Sequence, residues 1–270
     1  MKAQDERNYR TPIVILINSS IISLLTYGFL ILLMQVTNLF IADAFNISTS
    51  IYYFNVIFTI PDTSYLWNTK SIVLVYGSGT FVLFFTALVF RILYAKFRKK
   101  KGTLKLLFLW GYVNSLMLFS GSLISGFFLK TGMGYVLNWM YIPIWIQYIF
   151  VALAAALLVW LGIFSQVAFL KMANTHKAIE VKKQQTDFRN KIFLIPALLV
   201  LILTALIAFP DASLYSRFSH LAILLVLLPS LRFVSIHFRL IKEPMQKFKL
   251  LYLIALIALI ALLIAFKTMG

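Results

Sequence analysis

Residues 70–129 read KSIVLVYGSGTFVLFFTALVFRILYAKFRKKKGTLKLLFLWGYVNSLMLFSGSLISGFFL. Two apolar runs, 70–95 and 104–129, flank the basic stretch FRKKKGTLK. About twenty apolar residues in a helix cross a hydrocarbon core of about 30 Å, and each run exceeds that length. Seven Lys and Arg lie between Arg91 and Lys105. Cations at this density stay on the cytoplasmic side of a membrane. The stretch is therefore a transmembrane hairpin with its bend in the cytoplasm.

The same pattern continues outward. Apolar runs fall at 13–36, 70–95, 104–129, 139–165, 192–209, 219–238 and 250–266. With a cytoplasmic amino terminus, twenty Lys and Arg lie inside, four lie outside, and Arg232 sits within the sixth run. The bias alternates at every loop, as the positive-inside rule requires. The expected fold is all-α: a polytopic transmembrane bundle of about seven spans, one integral membrane domain over 1–270, with an external carboxyl terminus. Composition points the same way, since 61% of residues are hydrophobic and 12% charged. That leaves too little polar surface to cover a soluble domain. The opening MKAQDERNYRTP carries no small-residue cleavage site, and the run after it is too long for a signal peptide, so it reads as a retained span.

Two stretches are less regular. Residues 45–60, FNISTSIYYFNVIFTI, are β-branched and aromatic and end at Pro61. They fit an external interfacial segment with Tyr52, Tyr53 and Phe54 at headgroup depth, or a re-entrant element lining a cavity. Trp139, Tyr141, Trp145 and Tyr148 open the fourth run as an aromatic belt. The sequon at Asn46 carries no weight in a bacterial cytoplasmic membrane, the expected location.

The net charge of +17 has a membrane explanation. Juxtamembrane cations gain about 1 kcal/mol each beside anionic headgroups. The expected partners are therefore anionic lipids of the cytoplasmic leaflet, met by Arg91, Arg98, Lys99, Lys100, Lys101, Lys182, Lys183 and Arg232. Nucleic acid is not expected. Chemistry within the membrane needs ionisable groups at depth, yet all eight carboxylates lie in loops or tails: Asp5, Glu6, Asp43, Asp62, Glu180, Asp187, Asp211 and Glu243. An intramembrane aspartyl protease, an H-E-x-x-H zinc protease and a proton pump all lack their acids. The last run holds no lysine for a retinal, and the chain holds no cysteine. Ser78 and Ser122 stand beside glycines but not in G-x-S-x-G, and His220 opens a later span. No catalytic residue, cofactor or metal is expected.

The densest group of small and polar residues spans the third and fourth runs. Gly111, Ser115, Ser122 and Gly126 share one helical face, with Asn114, Gly121 and Ser125 flanking it. Such a face is either an internal helix seam or a docking surface for a partner. Lys130, Thr131, Gly132, Gly134 and Asn138 in the outer turn form a possible external site. The leading expectation is a non-enzymatic subunit or accessory component of a larger inner-membrane complex, with protein partners in the membrane. A small permease or channel for a neutral or anionic solute comes second, and a lipid-modifying enzyme third.

The topology has a direct check. A reporter active only in the cytoplasm should work when fused after Lys101 or Lys183 and stay silent at Gly270. Activity at Gly270 would make the number of spans even.

Overall fold

The computed structural model describes residues 2–52, 55–61, 63–97, 104–173, 181–208 and 214–231, with residues 253, 254, 256 and 257. A long helix α1 (Lys2–Ala44) leads into a β-hairpin, β1 (Thr49–Tyr52) and β2 (Asn55–Phe58). Helices α2 (Thr69–Phe97) and α3 (Leu104–Leu129) follow, then a short α4 (Met133–Trp139) and α5 (Ile144–Leu170). Next come α6 (Lys182–Arg189), a π-helical turn (Asn190–Leu194), α7 (Ile195–Ala208) and α8 (Leu214–Leu231). Among the described residues five segments are long and apolar enough to cross a membrane: Ile13–Ala44, Thr69–Phe97, Leu104–Leu129, Ile144–Leu170 and Lys182–Leu206. The fold is that of a helical integral membrane protein. Most of the seventh run, and the sixth beyond Leu231, lie outside the described residues.

Helix α3 is the axis of the bundle. It packs against α1, α2, α4, α5 and α8, and 72% of its apolar window is buried, against 28% for α5. Small residues make this central place accessible, because they let helix backbones approach closely where lipid gives no hydrophobic drive to associate. Helices α2 and α5 lie on the periphery, with Phe85 and Ile92 of α2 and Leu153 and Ile163 of α5 facing outward.

One polar cluster ties four elements together. Pro196 has no N–H, so the Ile192 carbonyl, four residues earlier, loses the donor it would meet in a regular α-helix. The π-helical turn stands at this point, as such bulges commonly do where the ladder is interrupted. The Ser19 hydroxyl of α1 donates to the Ile192 carbonyl. The Trp110 indole N–H of α3 donates to Ser19 Oγ at 2.9 Å. Trp110 is only 1% exposed. Its ring lies 4.8 Å from that of Phe169 in α5 and 5.8 Å from that of Phe193 in the π turn.

Two irregular stretches differ from the sequence expectation. Residues 45–60 contain an antiparallel hairpin with Thr49 opposite Phe58 and Tyr52 opposite Asn55. It caps the ends of α1 and α2, where Ile47 clusters with Ala42 and Val75. Phe58 meets Trp67 and Tyr76 edge-on, and Tyr76 meets Tyr135 of α4. The fourth run also opens later than 139. Trp139 belongs to α4, and Tyr141 occupies a left-handed turn (φ 52°) before Pro143 starts α5. The Tyr141 and Ile142 N–H groups bond to the Asn138 and Leu137 carbonyls, at 3.0 and 3.1 Å, a Schellman stop. Trp139 and Tyr141 therefore do not lie on α5.

Ser19→Ala should destabilise the bundle by about 1–3 kcal/mol, because it strips a buried carbonyl and a buried indole of their partner. Pro196→Ala returns a backbone donor to the Ile192 carbonyl, so the serine's loss should cost less in that background. Thermal unfolding of the four proteins of this double-mutant cycle in non-ionic detergent measures the difference.

Candidate functional site

Helices α2 and α5 both pack on α3. They leave a cavity of about 550 Å3 at the end of the bundle where α2 and α5 finish and α3 begins. Arg91 and Tyr94 line it from α2, Lys105 from α3, and Trp160, Ile163, Phe164, Val167 and Ala168 from α5. Lys171 and Met172, just past α5, complete the lining.

Packing positions the Arg91 head. The Arg91 guanidinium stands 5.2 Å from the Phe164 ring centre and 5.8 Å from that of Tyr112. Contacts of this kind contribute about 0.5–1 kcal/mol when exposed and more when dry. Phe164 in turn stacks on Trp160 at 5.5 Å. Lys105 is 4% exposed, whereas Arg91 and Lys171 are open. Among the described residues no carboxylate lines the cavity. Among the described residues the one carboxylate ion pair is Lys191 with Asp187, at 2.6 Å, and neither residue lines it. Three cations therefore share the described lining of one cavity.

Of the cations expected to meet lipid, Arg91 lies in this cavity. Lys182 and Lys183 are exposed on α6 and do not line it. Arg98, Lys99, Lys100, Lys101 and Arg232 lie outside the described residues. Lys105 and Lys171 were not singled out. Lys105 had a signal in its position at the very edge of the run 104–129, whereas Lys171 lies six residues past the run 139–165 and reaches a span end only because α5 continues to Leu170.

The small-residue face of α3 is shared among several neighbours. Asn114 Nδ2 donates to the Ser23 carbonyl at 3.1 Å and to Thr26 Oγ1 at 2.9 Å, both on α1. A Cβ on Gly111 would lie 2.7 Å from the Phe90 ring of α2. One on Gly121 would strike the Ser219 carbonyl of α8, and one on Gly126 would lie 2.6 Å from the Gly134 nitrogen. Ser115 and Ser122 are buried, and Ser125 Oγ bonds back to the Gly121 carbonyl at 2.7 Å. These residues sit inside the bundle.

The outer turn is likewise occupied with its own packing. Lys130 takes a left-handed conformation (φ 53°) while the Thr131 N–H bonds to the Gly126 carbonyl at 3.3 Å, ending α3. Gly132 also has a positive φ (53°), and Gly134 sits directly against the Gly126 carbonyl, where no side chain fits. Asn138 Oδ1 accepts from Gln147 Nε2 at 3.2 Å. Lys130 and Thr131 remain exposed.

A buried polar row on α1 escaped the sequence reading: Asn18, Ser19, Ser20, Ser23 and Thr26. Among the described residues the Asn18 amide and the Ser20 and Ser23 hydroxyls have no hydrogen-bond partner, nor do Asn114 Oδ1 and the hydroxyls of Ser115, Ser120 and Ser165. The buried His220 ring meets the Tyr27 hydroxyl, which links α8 to α1. Among the described residues no three His, Cys, Asp or Glu gather as metal ligands. Comparison of the chain with protein-family models, curated proteins and solved structures finds no match.

Gly134→Ala and Gly121→Ala should each cost about 1–3 kcal/mol in thermal unfolding, because the added methyl group meets backbone that cannot yield. Gly77→Ala is the control. Its methyl group would lie 3.6 Å from the Phe81 ring, an ordinary contact, so it should be neutral or gain up to about 1 kcal/mol from helix propensity.

Proposed function

We propose that this chain is a non-enzymatic, seven-span protein of the bacterial cytoplasmic membrane that binds a phosphate-class anion at its cytoplasmic end. It would do so as a subunit or accessory component of a larger membrane assembly. One observation carries the reading: Arg91, Lys105 and Lys171 line one cavity, with no carboxylate among its described lining residues. The excess of cations in the adjoining loops favours the cytoplasmic side for that cavity. Its volume is of the order used for small ligands and excludes nucleic acid duplexes. Arginine offers a planar fork to phosphate oxygens and lysine a compact charge, a complementary set for a group with several acceptor oxygens.

The buried row of unpartnered polar groups on α1, α3 and α5 favours a second reading, a permease for a small neutral solute. Solute-driven swelling of proteoliposomes would separate it from the first.

Anion binding to the folded state raises stability by RT ln(1 + [L]/Kd), about 2.7 kcal/mol at one hundred times Kd. Inorganic phosphate or pyrophosphate should therefore raise the melting temperature in non-ionic detergent relative to chloride at matched ionic strength. Lys105→Gln and Arg91→Gln should abolish most of that gain. Lys182→Gln should leave it unchanged, because that exposed lysine is not part of the cavity. Equal stabilisation of all four proteins would reduce the effect to general screening and overturn the reading.

A further inference from the structure

We infer that α1 and α3 bind a water molecule between them in the membrane interior, held by Ser23, Asn114 and Thr26. Neither functional reading above bears on it.

The hydrogen bonds already made at this contact fix what is left over. Asn114 Nδ2 lies 3.1 Å from the Ser23 carbonyl and 2.9 Å from Thr26 Oγ1. A carbonyl can only accept, so the amide atom facing it is the nitrogen, and the orientation of the group follows. Both of its N–H groups are then used. The amide oxygen, which can accept two hydrogen bonds, has no donor among the described residues, and the Ser23 hydroxyl has no partner there either. Ser23 is 0% exposed and Asn114 1%.

The Ser23 hydroxyl has a nearby acceptor that it does not take. Hydroxyls in these spans bond back to the carbonyl one turn earlier: Thr26 to Ile22 at 2.9 Å, and Thr37 to Leu33, Ser125 to Gly121 and Thr204 to Val200 at 2.7 Å each. Ser23 makes no such bond to the Ser19 carbonyl. A donor and an acceptor are thus left over on two residues that already bond to one another.

One water has the functions that are missing. It accepts from Ser23 Oγ and donates to Asn114 Oδ1. Its second hydrogen meets the remaining lone pair of Thr26 Oγ1, whose own hydrogen goes to the Ile22 carbonyl. Three bonds are the usual number for a buried water, and two of ordinary length span about 5–6 Å. The three side chains are uncharged, so they offer an ion no counter-charge. Asn114 lies ten residues into α3 from Leu104, about 15 Å along the axis and near the middle of a hydrocarbon core of about 30 Å. Lipid at that depth serves neither group.

Radiolytic footprinting of the full chain in detergent tests the inference. Ionising radiation turns bound water into hydroxyl radicals, which oxidise the nearest side chains. Met117 is the reporter: it stands three residues beyond Asn114, on the same side of α3, and is 1% exposed. Mass spectrometry should find Met117 sulfoxide in the wild type and its loss in Ser23→Ala and Asn114→Leu. Thermal unfolding supplies an independent sign. Deleting a water-bonded hydroxyl removes a hydrogen bond, so Ser23→Ala should lower the melting temperature by about 2–4 °C. Deleting an unpaired one removes a buried polar group and would raise it, which would overturn the inference. An unoxidised Met117 in the wild type would overturn it without any variant. Oxidation unchanged in both variants would place the water elsewhere and sink it as well.

Discussion

The Ile192 carbonyl is the point on which this bundle turns. Hydrocarbon supplies no hydrogen bonds, so a backbone group freed by proline must find its partner within the protein. Here the partner is Ser19 of α1, and Trp110 of α3 holds that serine by its indole N–H. The aromatic stack around Trp110 then draws in Phe169 of α5 and Phe193. A local defect in one helix thereby sets where three others must stand. Small residues alone would permit many rotations of α1 against α3. A buried indole with one hydroxyl to reach permits few, since leaving either group unbonded costs about 1–3 kcal/mol.

Fixing α3 at the centre has a consequence at the end of the bundle where α3 begins. α2 and α5 both pack on α3 and make few contacts with each other. Their separation over the start of α3 is the crevice. Tight packing elsewhere depends on glycines at Gly111, Gly121, Gly126 and Gly134. The corresponding stretch of the crevice is bordered instead by large side chains: Arg91, Tyr94, Trp160 and Phe164. Helices separated by such groups cannot close, and the space between them takes the character of their heads and rings.

The existence of the long spans was legible because length and hydrophobicity act additively along a chain. Continuous apolar runs predicted α2 and α3 closely. Features set by local backbone geometry were less legible. Tyr141 in a left-handed turn and Pro143 together divide α4 from α5, yet both lie inside a stretch that reads as one aromatic belt. The hairpin at 49–58 was read as irregular, although its β-branched and aromatic composition is what a two-stranded cap requires. The serines of α1 were passed over because a span tolerates isolated hydroxyls without comment. Only the proline 177 positions away, which leaves the Ile192 carbonyl to Ser19, explains why one of them is where it is.

The cations divide by a physical criterion that sequence blurs. Exposed lysines such as Lys182 and Lys183 are hydrated and screened within about 10 Å at ordinary ionic strength. They set orientation through their number, and any one of them is replaceable. Lys105 is withdrawn from water, and the Arg91 guanidinium is held against two rings. Charges in that condition interact more strongly and with fewer competitors, because the surrounding medium screens them less. On the reading proposed above, the same residue type serves topology on exposed surfaces such as that of α6 and recognition in the crevice. What separates the two roles is desolvation and fixed geometry, and both are imposed by packing against α3.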